Sequence, residues 1–354
     1  MVSGMLKVGI VGATGYAGQE LVRLLVQHPG VRMTALTSQT YKGLNISDVF
    51  PHLRGYVDLI CSDTDINALS EQCDVLFIAL PHGIASTVVT ADVLSKCRII
   101  DLGADFRLRD SAEYEKWYHT QHGNPPLLAE AVYGLCEWRE QDIRNARLIA
   151  NPGCYATAAA LALMPLLKSK LVEPHTLIVD AKSGVSGAGR VPSIGSHFNE
   201  CDETIKAYAL GTHRHTPEIE AQLHHFDESI QISFTPHLVP MNRGILATSY
   251  ASLKENVHID DVRAAFADCY HDKPFVRLCP AEPKEGSQPE TRWVKGSNFC
   301  DIGLTVDERT RRVIVVSALD NLIKGAAGQA VQNMNIACGL DQTTGLTQIP
   351  IFPA

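Results

Sequence analysis

Five compact apolar runs punctuate the first 150 residues, and each stops at glycine or a polar cluster. The first, Lys7 to Val11, is broken by Gly12, Gly15 and Gly18 and followed by Leu21, Leu24 and Leu25, which share one helical face. This spacing predicts a buried strand, a glycine turn and an amphipathic helix ending near Pro29-Gly30. Residues 31–38, 73–83, 97–107 and 147–153 repeat the buried-strand pattern, as in an open α/β sheet whose carboxyl edge faces ligands. A long alanine-rich apolar segment begins at Cys154 and predicts a helix.

Beyond it the period changes. Stretches 176–189, 229–240, 244–254, 299–308 and 311–320 read as longer strands, several alternating apolar and polar residues. That is the pattern of an antiparallel sheet with one covered face. Between them 258–271 reads as a helix with Asp260 and Asp261 early, and 321–340 is helical in character. The fold class expected is α/β: a Rossmann-type dinucleotide-binding domain followed by a second α/β domain on a mixed, largely antiparallel sheet. The first domain is expected over 5–153, completed by a C-terminal helix at about 320–354, and the second, catalytic domain over 154–319.

Composition narrows the partners. The 354 residues are 45% hydrophobic and 20% charged, with a formal charge of −8, which excludes nucleic acid as a bulk partner. No apolar run approaches the roughly 20 residues of a membrane span. The ten cysteines form no C-x-x-C pair and no Cys/His ligand cluster, so no metal site is expected. With no signal peptide read at the start, they are expected as reduced thiols of a cytoplasmic protein. The opening MVSG is set aside as a vector scar.

The chemistry lies in three places. Gly12, Gly15 and Gly18 form a G-x-x-G-x-x-G variant of the dinucleotide fingerprint, in which the backbone approaches a pyrophosphate at a helix start. Empty α/β folds also carry such turns. The second strand ends in Leu36-Thr37-Ser38-Gln39, with Lys42 nearby, and has no carboxylate to repel a 2′-phosphate, so NADP is expected over NAD.

Cys154 follows a Pro-Gly turn at a helix start, where unpaired N–H groups and the dipole favour a thiolate. Its pKa is expected below the usual value of about 8.5. Buried structural cysteine is the alternative. The third place is the stretch 211–223, where His213 and His215 precede Thr216, a candidate N-cap, and Pro217 at the first helical position. Two histidines two apart in extended chain point oppositely, so one is expected to enter the site. Dinucleotide turn, helix-start cysteine and later histidine together suggest one reaction: a thiolate attacks an acyl carbon, hydride passes to or from NADP, and a histidine moves the proton.

The stretches GATGYAG, LPHG, DLGADFRL, YGLCE, NPGCYAT, KSGVSGAG, HRHTPEI, HLVPMNRGI and DNLIKGAAGQAVQN span residues 12 to 333. Together they resemble the N-acetyl-γ-glutamyl-phosphate reductase family, NADP-dependent enzymes of arginine biosynthesis related to aspartate-semialdehyde dehydrogenases. The resemblance implies reduction of N-acetyl-glutamyl 5-phosphate to N-acetyl-glutamate 5-semialdehyde and inorganic phosphate through a cysteine thioester, with NADP(H) as cofactor and a homo-oligomer, dimeric or tetrameric. By position, Cys154 matches the nucleophile and His213 the catalytic base, with His215 as the alternative. Glu218 orients the imidazole or contacts substrate.

Arg107 and Arg109 are candidates for the substrate carboxylate or phosphate, and Asn151, Ser183 and Gly184 for the rest of the substrate site. Gly12, Thr14, Gly15, Tyr16, Gly18, Thr37, Ser38, Pro81, Gly187, Asn321 and Lys324 are expected on the cofactor side. The rival substrates are aspartyl and acetylaminoadipyl phosphates; the rival class is a non-catalytic NADP-sensing regulator.

Overall fold

The computed structural model describes residues 4–280 and 288–353, so residues 1–3 of the MVSG stretch lie outside it. The chain divides into two compact units, Met1–Pro152 with Ala326–Thr347, and Gly153–Gly325 with Gln348–Ala354.

In the first unit the strands are β1 (Leu6–Val11), β2 (Val31–Thr37), β3 (Cys61–Ser62), β4 (Val75–Ile78), β5 (Arg98–Asp101), β6 (Val132–Tyr133) and β7 (Leu148–Ala150). They form one sheet in the order β3-β2-β1-β4-β5-β7-β6, with every pairing parallel. Strands of a sheet covered on both faces need continuous apolar runs, and all four residues of β4 are buried. The strand order reverses between β1 and β4, so the crevice for a ligand opens at their carboxyl ends. The helix Tyr16–Leu25 buries Leu21, Val22, Leu24 and Leu25 against this sheet's core side, as the leucine spacing requires.

The helix Gly328–Ala337 is buried all round. Apart from Gln329 Oε1, which is buried without a partner among the described residues, the helix's amide side chains bond within the fold: Gln329 and Asn333 donate to the Gly134 carbonyl, and Asn335 bonds the His28 ring. A buried helix can carry amides only on such terms.

The second unit contains β8 (Ile178–Ser183), β9 (Lys206–Ala207), β10 (Ser233–Leu238), β11 (Ile245–Ser252), β12 (Val276–Leu278), β13 (Cys300–Asp307) and β14 (Arg312–Leu319). The order is β12-β13-β14-β11-β8-β10-β9. The β10–β8 and β12–β13 pairs are parallel, and the other four are antiparallel. On β8 alternate residues Val179, Ala181 and Ser183 are buried, the pattern of a sheet with one covered face. The cover includes the helix Cys154–Lys168, buried from Tyr155 to Leu167. Ser317 of β14 and Tyr270 donate hydrogen bonds to its Ala158 and Leu161 carbonyls.

The C-terminal stretch divides differently from the sequence expectation. Residues 320–325 group with the second unit, because Asp320 is held there by the Gly296 N–H at 2.8 Å. The tail from 348 also groups there, with the Ile351 N–H on the Lys295 carbonyl at 2.8 Å. The short strands β3, β6, β9 and β12 have no counterpart in the sequence reading; two or three residues carry no period to detect.

Candidate active site

The cofactor-side residues of the first unit gather at the carboxyl end of β1. Gly12 has φ +83°, and a Cβ there would lie 2.4 Å from the Ala79 carbonyl oxygen; a Cβ at Gly18 would lie 2.3 Å from the Gly12 oxygen. Both positions exclude any side chain. Gly15 is the N-cap of the helix Tyr16–Leu25 and offers no side chain to its first N–H groups, so the turn fits a pyrophosphate.

Thr37 and Ser38, expected at a 2′-phosphate, are buried and engaged within the fold. The Thr37 hydroxyl accepts from the Gly12 N–H at 3.2 Å and from the Thr64 hydroxyl at 3.0 Å. Ser38 Oγ sits 2.9 Å from Thr14 Oγ1 and accepts the Tyr41 N–H. The exposed Lys42 pairs with Asp63 at 2.5 Å, so a carboxylate from the end of β3 stands beside the expected cation.

Pro81 lies in the loop after β4, and Asp105 clamps that loop by accepting the Gly83 and Ser86 N–H groups at 2.7 and 2.9 Å. Buried Arg107 donates from Nε to the Asn151 carbonyl and from Nη2 to the Leu102 carbonyl, while Arg109 is exposed. Asn151 gives its side-chain amide to the Ala326 carbonyl and accepts from Asn333. Both residues thus brace the segment that leads toward Cys154.

In the second unit Cys154 is the first residue of its helix, half-buried, after Gly153 as N-cap with no side-chain cap. The Gly153 N–H donates to Glu218 Oε1 at 2.7 Å, and Glu218 is fully buried. Its other oxygen, Oε2, lies 3.9 Å from His215 Nε2, within ion-pair reach of a protonated ring.

The helix bearing this pair runs His215–Leu223 and begins two residues earlier than the Pro217 start, after a Thr216 cap, expected from sequence. His213 does the capping instead: its Nδ1 accepts the His215 N–H at 3.0 Å and its carbonyl accepts the Thr216 N–H at 2.9 Å. Neutral His213 therefore carries its proton on Nε2. Burial, with Arg214 beside it, pushes the His213 pKa down to about 4.

Both histidine rings meet Tyr155 edge-on, with centroids 5.5 and 5.9 Å away, and each other at 4.9 Å. The Tyr155 hydroxyl donates to the His237 carbonyl and accepts from Tyr208, whose own pKa burial raises to about 12. A negative charge on Cys154 is near enough to oppose ionisation of both phenols, so the tyrosines belong to the cysteine's surroundings.

Ser183 is buried and donates to the Gly184 carbonyl; a Cβ on Gly184 would meet the Asn242 carbonyl oxygen at 2.5 Å. Gly187 lies beside Ser183 and Asn321. Asn321, expected on the cofactor side, is buried and spends its amide on the Gly244 N–H and the Ser186 hydroxyl. Lys324 is fully buried, with Nζ 5.7 Å from the Phe275 ring centroid.

The sequence reading passes over Gly325, although a Cβ there would be 2.6 Å from the Cys154 Cβ. It also passes over Tyr155, Tyr208 and Asp320. Their only signal was membership of the quoted motifs or proximity to them. Among the described residues no group of three or more His, Cys, Asp or Glu could hold a metal, and no helix is long and apolar enough to cross a membrane.

Two family models match the chain: the semialdehyde dehydrogenase NAD-binding domain over 7–146 and the semialdehyde dehydrogenase dimerisation domain over 154–321. The first gives the chain a nicotinamide-dinucleotide-binding domain. Among curated relatives, the N-acetyl-gamma-glutamyl-phosphate reductase of Pelotomaculum thermopropionicum is 51% identical, with 98% of this chain and 99% of that protein aligned. That of Symbiobacterium thermophilum is 53% identical, covering 98% and 99%. Among solved structures, aspartate semialdehyde dehydrogenase II from Vibrio cholerae, complexed with ASA, matches with a TM-score of 0.72. It is 17% identical over 95% of this chain and 99% of that one, and shows the fold alone. The chain belongs to the semialdehyde dehydrogenase family and, within it, to the N-acetyl-γ-glutamyl-phosphate reductases.

Proposed function

We propose that the chain reduces N-acetyl-glutamyl 5-phosphate to N-acetyl-glutamate 5-semialdehyde and phosphate, using NADPH, with Cys154 as the nucleophile. The observation that carries this reading is Cys154 at an uncapped helix start, tied through Gly153 and Glu218 to His215. The thiol proton passes to His215, and the thiolate attacks the γ-carbonyl. Gly153 has given its N–H to Glu218, and the positive end of the helix that starts at Cys154 steadies the oxyanion. Phosphate leaves as the thioester forms. A dinucleotide held at the Gly12, Gly15 and Gly18 turn would supply the hydride that reduces the thioester. Collapse of the resulting oxyanion expels sulfur, which recovers its proton from His215.

We assign the proton to His215 rather than His213. A ring with a pKa of about 4 is too weak a base near neutrality, and its Nδ1 is already occupied as a helix cap. His215 instead has a carboxylate beside it. Arg107 acts from within, holding the chain before the nucleophile, and Arg109 is the exposed cation for the substrate's anionic groups. A coupled assay offering each semialdehyde with phosphate and NADP tests the substrate. Preference for aspartate or acetylaminoadipate semialdehyde would overturn the assignment, and no phosphate-dependent reduction of NADP would favour the sensing regulator.

NADP specificity rests on Lys42, since the hydroxyls of Thr37 and Ser38 serve the fold. Asp63 holds Lys42 until a 2′-phosphate competes for it. Lys42→Ala is expected to raise the KM for NADPH about tenfold while leaving that for NADH unchanged, read from initial rates with each cofactor. Equal effects on the two would remove Lys42 from the 2′-phosphate site. The dimerisation-type second domain supports a homo-oligomer.

A further inference from the structure

Resting on the reading of Cys154 as nucleophile, we infer that Asp320 positions it through the turn that carries Gly325. A cysteine at the first position of a helix has no preceding turn to restrict its χ1 rotamer, so whatever packs on its Cα and Cβ confines where the sulfur points. Here that wall is backbone. A Cβ built on Gly325 would lie 2.6 Å from the Cys154 Cβ and 3.1 Å from its Cα, closer than side chains approach one another.

Gly325 sits in a π turn, Ile323–Ala327, a widened and uncommon conformation that needs pinning. Asp320 pins it twice. Its main-chain carbonyl accepts the Gly325 N–H at 2.9 Å and the Ile323 N–H at 3.2 Å. Its Oδ1 accepts the Leu322 N–H at 2.9 Å and shares the Ile323 N–H at 3.2 Å. Oδ2 accepts the Gly296 N–H at 2.8 Å, and Arg243 Nη1 lies 3.6 Å away.

The carboxylate is fully buried, and the Leu322, Ile323 and Gly296 N–H groups and Arg243 that meet it are all donors. An amide in its place would aim a donor at donors, leaving at least one buried N–H unpaired. Asp320 touches no reacting atom; it holds the turn, the turn holds Gly325, and Gly325 sets where the Cys154 sulfur points.

The test compares Asp320→Asn, Asp320→Glu and Gly325→Ala with the unchanged protein and with Cys154→Ser. Three readouts are taken: kcat and KM separately, the rate of Cys154 alkylation by iodoacetamide followed by peptide mass spectrometry, and the melting temperature. Misplacing a nucleophile by about 1 Å costs on the order of 10²-fold, so Asp320→Asn and Gly325→Ala are expected to lower kcat 10- to 100-fold. The KM for NADPH should stay within about twofold, and Cys154 alkylation should change several-fold while that of Cys269 does not. Asp320→Glu, which keeps the charge, should recover part of the rate.

A lowered melting temperature with native kcat and native alkylation would make Asp320 merely structural and overturn the inference. Should Asp320→Asn fail to fold, Gly325→Ala decides alone, because its added methyl presses first on Cys154 Cβ and Cα, ahead of the end of the Leu319 side chain. Full turnover in that variant overturns the inference too. Turnover surviving in Cys154→Ser would instead defeat the nucleophile assignment itself, a distinct result.

Discussion

Cys154→Ser is expected to lower turnover by at least about 10⁴-fold while NADPH binding, followed by its fluorescence, stays within about twofold. Serine keeps the shape of the side chain, and the helix it opens is buried through residues 155–167 whichever atom stands at 154, so the fold survives. What is lost is a nucleophile that the helix start can hold ionised; a hydroxyl does not ionise there.

The same contrast predicts selective labelling in the unchanged protein. Burial pushes up the thiols of Cys61, Cys73, Cys269 and Cys338, and raises Cys97 and Cys279 to about 11. Iodoacetamide at mildly acidic pH should therefore find Cys154 first. Uniformly slow labelling, or a serine variant that keeps its rate, would remove the covalent scheme.

The legibility of this site in the sequence depends on whether the controlling contact is local. Gly12 avoids Ala79 of a neighbouring strand end and is read only through the motif, whereas Gly18 is readable because what it avoids is at hand: its Cβ would strike Gly12, six residues away in one turn. Cys154 is readable for the same reason, since a Pro-Gly turn ahead of an alanine-rich run announces a helix start. Gly325 is a different case. Its reason for being glycine is a cysteine 171 positions earlier, and only the fold brings the two together.

Thr37 and Ser38 show the opposite failure. Hydroxyls at a strand end look free in sequence, yet one holds the Gly12 N–H and the other meets Thr14, so they shape the glycine turn. Asn321, expected on the cofactor side, also clasps the 183–188 and 241–244 loops, because a primary amide satisfies one donor and one acceptor at once. The His-x-His spacing points to proton chemistry but assigns no roles. The roles depend on which ring caps a helix and which faces Glu218, and neither is a property of spacing.

Those roles separate in a paired experiment. His215→Asn is expected to lower kcat by about 10²- to 10⁴-fold and to erase the acid limb of its pH profile, as loss of a general acid–base requires. Glu218→Gln should move that limb to lower pH, because the carboxylate 3.9 Å from His215 Nε2 favours the protonated ring. His213→Asn should cost less in rate and should act on stability instead. Burial holds the folded-state pKa of His213 near 4, below the ordinary 6.5, so between those values unfolded chains take up a proton that folded chains refuse. The stability tied to the neutral ring is therefore complete above about pH 6.5, falls as the pH drops and is gone below about pH 4. His213→Asn removes that slope from urea midpoints measured across the window, whereas His215→Asn leaves it in place. A His213 variant that loses the rate and the acid limb, beside a His215 variant that keeps both, would transfer the proton to His213 and leave Glu218 as an anchor for Gly153 alone.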